Sequence, residues 1–159
     1  MIAVGDKLPD IGFKTMGADG PRVLSAAELF DGRKVVLFCV PGAYTGTCTT
    51  RHLPGFMKHA DAIRAKGVDQ IGCVAVNDVF VMDAWGRSVG VDERVTMLAD
   101  GSGDWARATG LQLDLNAAGL GERIRRCALI VENRVVTHLA LEEGAALEVS
   151  TAENILNAL

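Results

Sequence analysis

The chain has 159 residues and a mass of 16.8 kDa, so we expect residues 1–159 to form one domain with a single core. A formal net charge of −4 and an isoelectric point near 5.3 argue against nucleic acid as a partner, because phosphate binding needs a basic face. No apolar run approaches the roughly 20 residues that span a bilayer, and no secretory pattern follows Met1. We therefore expect no membrane partner and a cytoplasmic location.

The first half of the chain predicts short pieces followed by a buried strand and a long helix. Glycine- and proline-rich turns precede a short helix at "SAAELF", for which Ser25 is the expected N-cap. "KVVLFCV" (34–40) is apolar and β-branched, which is typical of a strand buried on both faces. Residues 45–66 then predict a helix that ends at Gly67 and is kinked at Pro54.

The second half continues the alternation of strands and helices. In chain order it predicts a strand at 70–76, a helix capped by Asn77 or Asp78, a strand at 95–100, a short helix at 104–109, a hairpin that turns at Glu132-Asn133, and a last helix capped by Ser150 or Thr151 with Glu153 completing a capping box. Strand–helix–strand units followed by a hairpin favour an α/β fold, with a mixed β-sheet flanked by helices on both faces.

Cys48 differs from the other three cysteines of the chain. Cys39, Cys73 and Cys127 lie in apolar runs, where a thiol usually packs as a small hydrophobe. Cys48 lies among small polar residues in "PGAYTGTC", just after a buried strand. The four cysteines form no CxxC pair and no metal-ligand spacing, so we expect neither a zinc site nor another metal.

The predicted position of Cys48 is the first turn of a helix, where the helix dipole favours a thiolate. Thr45 lies three residues earlier and can face the sulfur, and the Pro41 ring can close one side of the site. A cation is still needed, and "RIRRCALIV" offers three candidates. Position alone leaves open that Cys48 is inert and that Thr45 is only an N-cap.

These residues resemble a known family. "PGAYTGTC" contains the Pro-x-x-x-Thr-x-x-Cys motif of the peroxiredoxins, and "HLPGF", "VNDVFVMDAWGR" and "MLAD" resemble the peroxiredoxin-5 (type II) subfamily. The resemblance implies a thioredoxin-like fold and the reduction of hydrogen peroxide and alkyl hydroperoxides without a cofactor. It implies that Cys48 is the peroxidatic cysteine, that Thr45 and Pro41 shape its substrate pocket, and that Arg126 is the cation, because it directly precedes "CALIV".

Two positions depart from patterns found in that family. Many relatives have proline where this chain has Gly46, and the change relaxes the turn before Cys48. Two-cysteine relatives place a resolving cysteine before the last helix, where this chain has Val149. The resemblance therefore implies a one-cysteine enzyme that is recycled by an external thiol. Glutathione with glutaredoxin is the expected reductant, and thioredoxin is possible.

The remaining candidates are less specific. His52 is equally consistent with a hydrogen-bond partner near Cys48 and with a packing or surface role, whereas Arg123, Arg125 and Glu142 are expected in solvent. The resemblance also implies a homodimer. We expect Phe80 and Trp85, which lie on one predicted helix, to pack either in the core of the domain or in the dimer interface.

Two other functions on the same fold stay open. The chain could be a non-enzymatic redox sensor or holdase that responds through Cys48. A disulfide oxidoreductase is disfavoured, because the sequence has no CxxC.

Overall fold

The structure is a computed structural model that describes residues 1–159. The strands are β1 Phe13–Gly17, β2 Gly20–Leu24, β3 Lys34–Cys39, β4 Gln70–Ala75, β5 Thr96–Ala99, β6 Gln112–Leu115, β7 Gly121–Ile124, β8 Cys127–Glu132 and β9 Val135–Leu141. The α-helices are α1 Ala26–Phe30, α2 Leu53–Ala65, α3 Val79–Val89, α4 Asp104–Thr109 and α5 Ala152–Ala158. No helix combines the length and the hydropathy that crossing a membrane requires.

Seven strands form one mixed sheet in the order β2-β1-β5-β4-β3-β8-β9. β3 pairs with β4 and β4 with β5 in parallel, whereas β8, β9 and the β1–β2 hairpin add antiparallel strands on either side. β3, next to the central strand β4, is buried along nearly its whole length, as its continuous apolar run predicts. The α/β class and the mixed sheet are confirmed.

Two apolar clusters cover the two faces of this sheet. One cluster packs α2, α3 and α5 against the sheet and includes Cys48 and Cys73. The other packs α1 and α4 against the opposite face and includes Cys39 and Cys127. Helices therefore lie on both faces, and the four cysteines divide two and two between them.

The helix predicted for residues 45–66 begins differently from the expectation. A π-helical turn occupies Cys48–His52, and the Leu53 N–H donates to the Cys48 carbonyl five residues earlier. The regular helix α2 starts only at Leu53, so Pro54 lies in its first turn instead of in its interior. Proline has no N–H to donate and its ring clashes with the carbonyl four residues earlier, so it fits the first turn of a helix better than the interior. The predicted kink is therefore a π-helical turn that carries Cys48.

Helix caps and turns follow the predictions with small shifts. Ser25 caps α1 in a capping box with Glu28, and Asp78 caps α3. Thr151 caps α5 by accepting from the N–H of Asn154, so the predicted box with Glu153 is wrong, and Glu153 contacts His59 instead.

Two features of the strands differ from the sequence prediction. The β8–β9 turn lies at Asn133–Arg134, both with positive φ, one residue later than predicted. The β6–β7 hairpin, a separate two-stranded sheet, was not predicted, because strands of four residues are too short to give a clear alternation.

Candidate active site

The site lies at the carboxyl end of β3, where the sheet brings distant parts of the chain together. β3 and β8 run antiparallel with Cys39 opposite Cys127. Arg126 precedes Cys127 directly, so this register places it beside the segment that leaves β3 at Pro41. Strand pairing therefore delivers the arginine to the loop that leads to Cys48.

Hydrogen bonds hold the loop between β3 and Cys48 in one conformation. The Ala43 N–H donates to Asn77 Oδ1 at 2.9 Å, which ties the loop to the end of the neighbouring strand β4. Tyr44 adopts a left-handed backbone with φ of 61°, which is uncommon for a residue with a side chain. The Thr45 hydroxyl donates to the Gly42 carbonyl at 2.7 Å. The hydroxyl proton is thus engaged, and the oxygen lone pairs remain free to accept.

Arg126 is the cation that contacts Cys48. Its Nη2 donates to Cys48 Sγ at 3.2 Å, and both residues are buried, with 4% and 1% of their surface exposed. A charged donor at this distance can stabilise negative charge that develops at the sulfur during a reaction. The Arg126 Nε–H has no acceptor among the protein atoms, so this donor of the guanidinium can hydrogen-bond to a substrate.

His52 fixes the orientation of Arg126. Its Nδ1 lies 2.9 Å from Arg126 Nη1, and its Nε2 lies 2.9 Å from the Ser150 carbonyl oxygen. A carbonyl only accepts and a guanidinium only donates, so Nε2 carries the proton and Nδ1 accepts. The structure therefore supports the hydrogen-bond role for His52, and it excludes a surface role because only 1% of this residue is exposed.

His52 is neutral in this arrangement. Burial lowers its pKa from 6.5 to about 4, and the Arg126 charge acts in the same direction, against the hydrogen bond to Ser150. The ring also packs 5.2 Å from Phe38 and 5.6 Å from Phe56, centroid to centroid. A neutral imidazole can accept from Arg126, whereas an imidazolium would repel it.

Glu142 anchors the segment that provides the Ser150 carbonyl. One of its oxygens, Oε1, accepts from the N–H groups of Glu148, Val149 and Ser150 at 2.7 Å and from the Ser150 hydroxyl at 2.9 Å. Burial would raise the pKa of Glu142, but these hydrogen bonds outweigh burial and lower it. The expectation of a solvated turn at Glu142 is wrong, because only 3% of this residue is exposed.

The buried His52 makes a testable prediction about acid stability. Unfolded His52 binds a proton below about pH 6.5, whereas the folded form does so only near pH 4. Stability that is present above pH 6.5 is therefore lost as the pH falls toward 4, by about 3 kcal/mol for this one group. Urea unfolding across this range should show a weaker pH dependence in His52→Gln. Equal slopes in both proteins would contradict a buried neutral His52.

A cavity of about 560 Å³ opens beside Cys48. Its lining includes the three residues that the sequence places around this cysteine, Pro41, Thr45 and Arg126. Gly46 also lines the cavity, and a Cβ at this position would meet no atom within 4 Å. Packing therefore does not require a glycine there. No group of three or more His, Cys, Asp or Glu side chains is placed to share a metal ion.

The family of this chain follows from its similarity to known proteins. The redoxin family model matches residues 3–156. The chain is 52% identical to peroxiredoxin-2E-2, chloroplastic, of Oryza sativa over 99% of its own length and 72% of that protein. It superimposes with a TM-score of 0.95 and 47% identity on reduced Prx3 of Vibrio vulnificus in complex with hydrogen peroxide, covering 99% of both chains. This chain belongs to the peroxiredoxins.

A third similar protein is peroxiredoxin 5 of Alvinella pompejana. Its structure matches with a TM-score of 0.87 and 31% identity over 99% of this chain and 97% of that one. These superpositions confirm the thioredoxin-like fold, and membership of the family makes the chain a thiol peroxidase. The cytoplasmic location stays a prediction, since the rice relative is named chloroplastic.

The other cysteines of this peroxiredoxin are fully buried. Burial, reinforced by a hydrogen bond with Cys127, raises the pKa of Cys39 well above its usual value. Burial and the neighbouring Cys48 raise the pKa of Cys73 in the same way. Cys39 and Cys73 therefore persist as thiols, and of the three buried cysteines only Cys73 shares the sheet face of Cys48.

The structure decides the positions of three further residues, of which Trp85 lies in the core, one of its two expected places. Trp85 is a core residue whose Nε1–H donates to Thr49 Oγ1 at 3.0 Å, which fastens α3 to the turn carrying Cys48. Phe80, by contrast, is 65% exposed. Arg125 is half-buried and lines the cavity instead of standing free in solvent. Arg125 lies in the short segment between β7 and β8, so no strand alternation in the sequence indicates which way its side chain turns.

Proposed function

We propose that this peroxiredoxin reduces hydrogen peroxide and alkyl hydroperoxides with Cys48 as its nucleophile. The observation that carries the proposal is the 3.2 Å contact between Arg126 Nη2 and Cys48 Sγ in a buried site. The thiolate is the reactive form of cysteine, and a fixed positive charge beside it favours that form. The complex of the Vibrio vulnificus relative with hydrogen peroxide supports a peroxide substrate.

The reaction requires a group that stabilises the negative charge as it shifts from the sulfur to the leaving oxygen. The Cys48 thiolate forms an S–O bond with one peroxide oxygen while the O–O bond breaks. Cysteine is thereby oxidised to a sulfenic acid, and the other oxygen leaves as an alkoxide or hydroxide that takes a proton from solvent. The Arg126 guanidinium stabilises the charge that moves along this line, and the free lone pairs of Thr45 Oγ1 accept from the peroxide O–H.

The sulfenic acid is returned to the thiol by an external reductant. A first thiol attacks the sulfenic sulfur, which forms a mixed disulfide and releases water. A second thiol then frees Cys48 and carries away the disulfide. Val149 stands where two-cysteine relatives place a resolving cysteine, so a one-cysteine cycle with glutathione and glutaredoxin is the proposed route, and thioredoxin is the alternative reductant.

Mass spectrometry of the oxidised protein tests this route. One equivalent of hydrogen peroxide followed by glutathione should give a mixed disulfide at Cys48, because no thiol of the chain is exposed next to it. Peptide mapping identifies the modified cysteine, and protein treated with glutathione alone is the control. A clean intramolecular disulfide from Cys48, to Cys73 above all, would contradict the one-cysteine route and favour thioredoxin.

We also propose that this chain is a member of the type II subfamily and that it forms a homodimer. The likeness to the Alvinella pompejana peroxiredoxin 5 supports the subfamily. Two large aromatics, Tyr44 and Phe80, are 56% and 65% exposed, and the Ala43–Asn77 hydrogen bond ties the loop of Tyr44 to the segment before α3. Sedimentation at micromolar concentration should give twice the 16.8 kDa of one chain. Phe80→Ser should shift the distribution toward the monomer, whereas a wild-type species of 16.8 kDa alone would refute the dimer.

A further inference from the structure

Three leucines beside Cys48 contribute to no hydrophobic core. Leu113, Leu115 and Leu120 line the cavity, yet they belong to neither of the two apolar clusters. Leu113 and Leu115 alternate along β6 with the exposed Gln112 and Asp114, so they share one face of the β6–β7 hairpin. The hairpin therefore presents an apolar face to the cavity and a polar face to solvent.

The same cavity contains an arginine without a carboxylate partner. Arg125 forms no ion pair, although the chain has a net charge of −4 and surface arginines such as Arg107 do pair with carboxylates. Its guanidinium reaches only neutral acceptors, the Glu142 main-chain oxygen at 3.4 Å and Met1 Sδ at 3.6 Å. The positive charge at the cavity is thus left for an anion.

We propose that the site takes organic hydroperoxides that carry both an apolar body and a carboxylate. The hydroperoxide group lies against Cys48 and Arg126, the apolar body lies on the leucine wall, and the carboxylate pairs with Arg125. A cavity of about 560 Å³ is in the size range of small-molecule sites and far exceeds what hydrogen peroxide fills. This inference rests on the proposed function, because it names the substrate class of the same site.

The chemical step is unchanged for such a substrate. The Cys48 thiolate bonds to the terminal oxygen and the O–O bond breaks, so that Cys48 is oxidised and the hydroperoxide is reduced. The organic alkoxide takes a proton from solvent and leaves as an alcohol. The carboxylate takes no part in the bond changes and contributes only to binding, which lets its effect be measured separately.

A matched pair of hydroperoxides tests the carboxylate. Cumene hydroperoxide bearing a para carboxylate is compared with its methyl ester and with hydrogen peroxide. The rate constant for loss of the Cys48 thiol is measured in a single turnover by alkylation and mass spectrometry, so the result does not depend on the reductant. Wild-type protein should react about tenfold faster with the acid than with the ester, because only the acid pairs with Arg125.

Two variants test separately the contact of the carboxylate with Arg125 and the contact of the apolar body with the leucines. Arg125→Gln should remove the advantage of the acid and leave the ester and hydrogen peroxide within about twofold. Leu115→Ala should slow the acid and the ester together by about tenfold and leave hydrogen peroxide unchanged. Arg33→Gln is the matched control. Arg33 has no carboxylate partner either, but it directly precedes β3 and so lies at the end of that strand away from Cys48.

The outcomes separate this inference from the proposed function. Equal rates for acid and ester in the wild type, or an Arg125→Gln variant that slows all three substrates alike, would overturn the inference while leaving hydrogen peroxide reduction by Cys48 intact. A Leu115→Ala variant that weakens self-association without altering any rate would assign the leucines to a second copy and also overturn it. No oxidation of Cys48 by any of the three compounds would instead refute the proposed function itself.

Discussion

Cys48→Ser should abolish peroxide consumption. Serine keeps the size of the side chain but has no thiolate, so the nucleophile beside Arg126 Nη2 is lost. The expected loss is at least about 10³-fold in rate, the scale on which removal of an essential nucleophile acts. Hydrogen peroxide consumption is measured with glutathione and glutaredoxin present and again with thioredoxin, so that the choice of reductant does not decide the result.

The other three cysteines provide the controls for that experiment. Cys39→Ser, Cys73→Ser and Cys127→Ser each place a hydroxyl in a fully buried position, so they should reduce stability and leave the rate per folded molecule nearly unchanged. Full turnover in Cys48→Ser would refute Cys48 as the nucleophile. Oxidation of Cys48 without steady turnover in the wild type would favour the redox sensor or holdase instead.

The sheet and its helices could be predicted because their signals are local. The run at 34–40 is continuous and apolar, and Asp78 and Ser25 are capping residues whose side chains act within one helical turn. The motif around Cys48 was equally visible, since Pro41 and Thr45 stand at fixed spacings from it. Such features depend on neighbours in sequence, and the buried strand β3 and the caps of α1 and α3 form as predicted.

The rest of the site depends on contacts across the chain, which no local pattern reveals. Glu142 resembles a turn residue in sequence, but it is buried because the backbone of residues 148–150 folds over it. His52 acquires its role only when Arg126 and Ser150 arrive from 74 and 98 residues away. Long-range contacts of this kind explain why the residues next to Cys48 were predicted better than those that support them.

Arg126→Lys should slow the oxidation of Cys48 by hydrogen peroxide by roughly 10- to 100-fold. Arginine uses two nitrogens at once, with Nη2 on Cys48 Sγ and Nη1 on His52 Nδ1. A lysine ammonium keeps the charge but is a single point, so it cannot hold both partners in that planar geometry. The charge that develops along the S–O–O line then loses a fixed donor, and loss of one such donor costs up to about 10²–10³ in other enzymes.

The matched substitution for that test is Arg125→Lys, on the adjacent residue of the same segment. Arg125 contacts neither Cys48 nor His52, so with hydrogen peroxide as substrate this variant should react within about twofold of the wild type. Urea unfolding of both variants separates a change in rate from a loss of fold, because Arg126 is buried and its replacement also affects stability. An unchanged rate in Arg126→Lys, or an equal loss in Arg125→Lys, would mean that the charge next to Cys48 does not act through Arg126. A selective loss in Arg126→Lys would tie the rate to the same guanidinium that His52 holds in place.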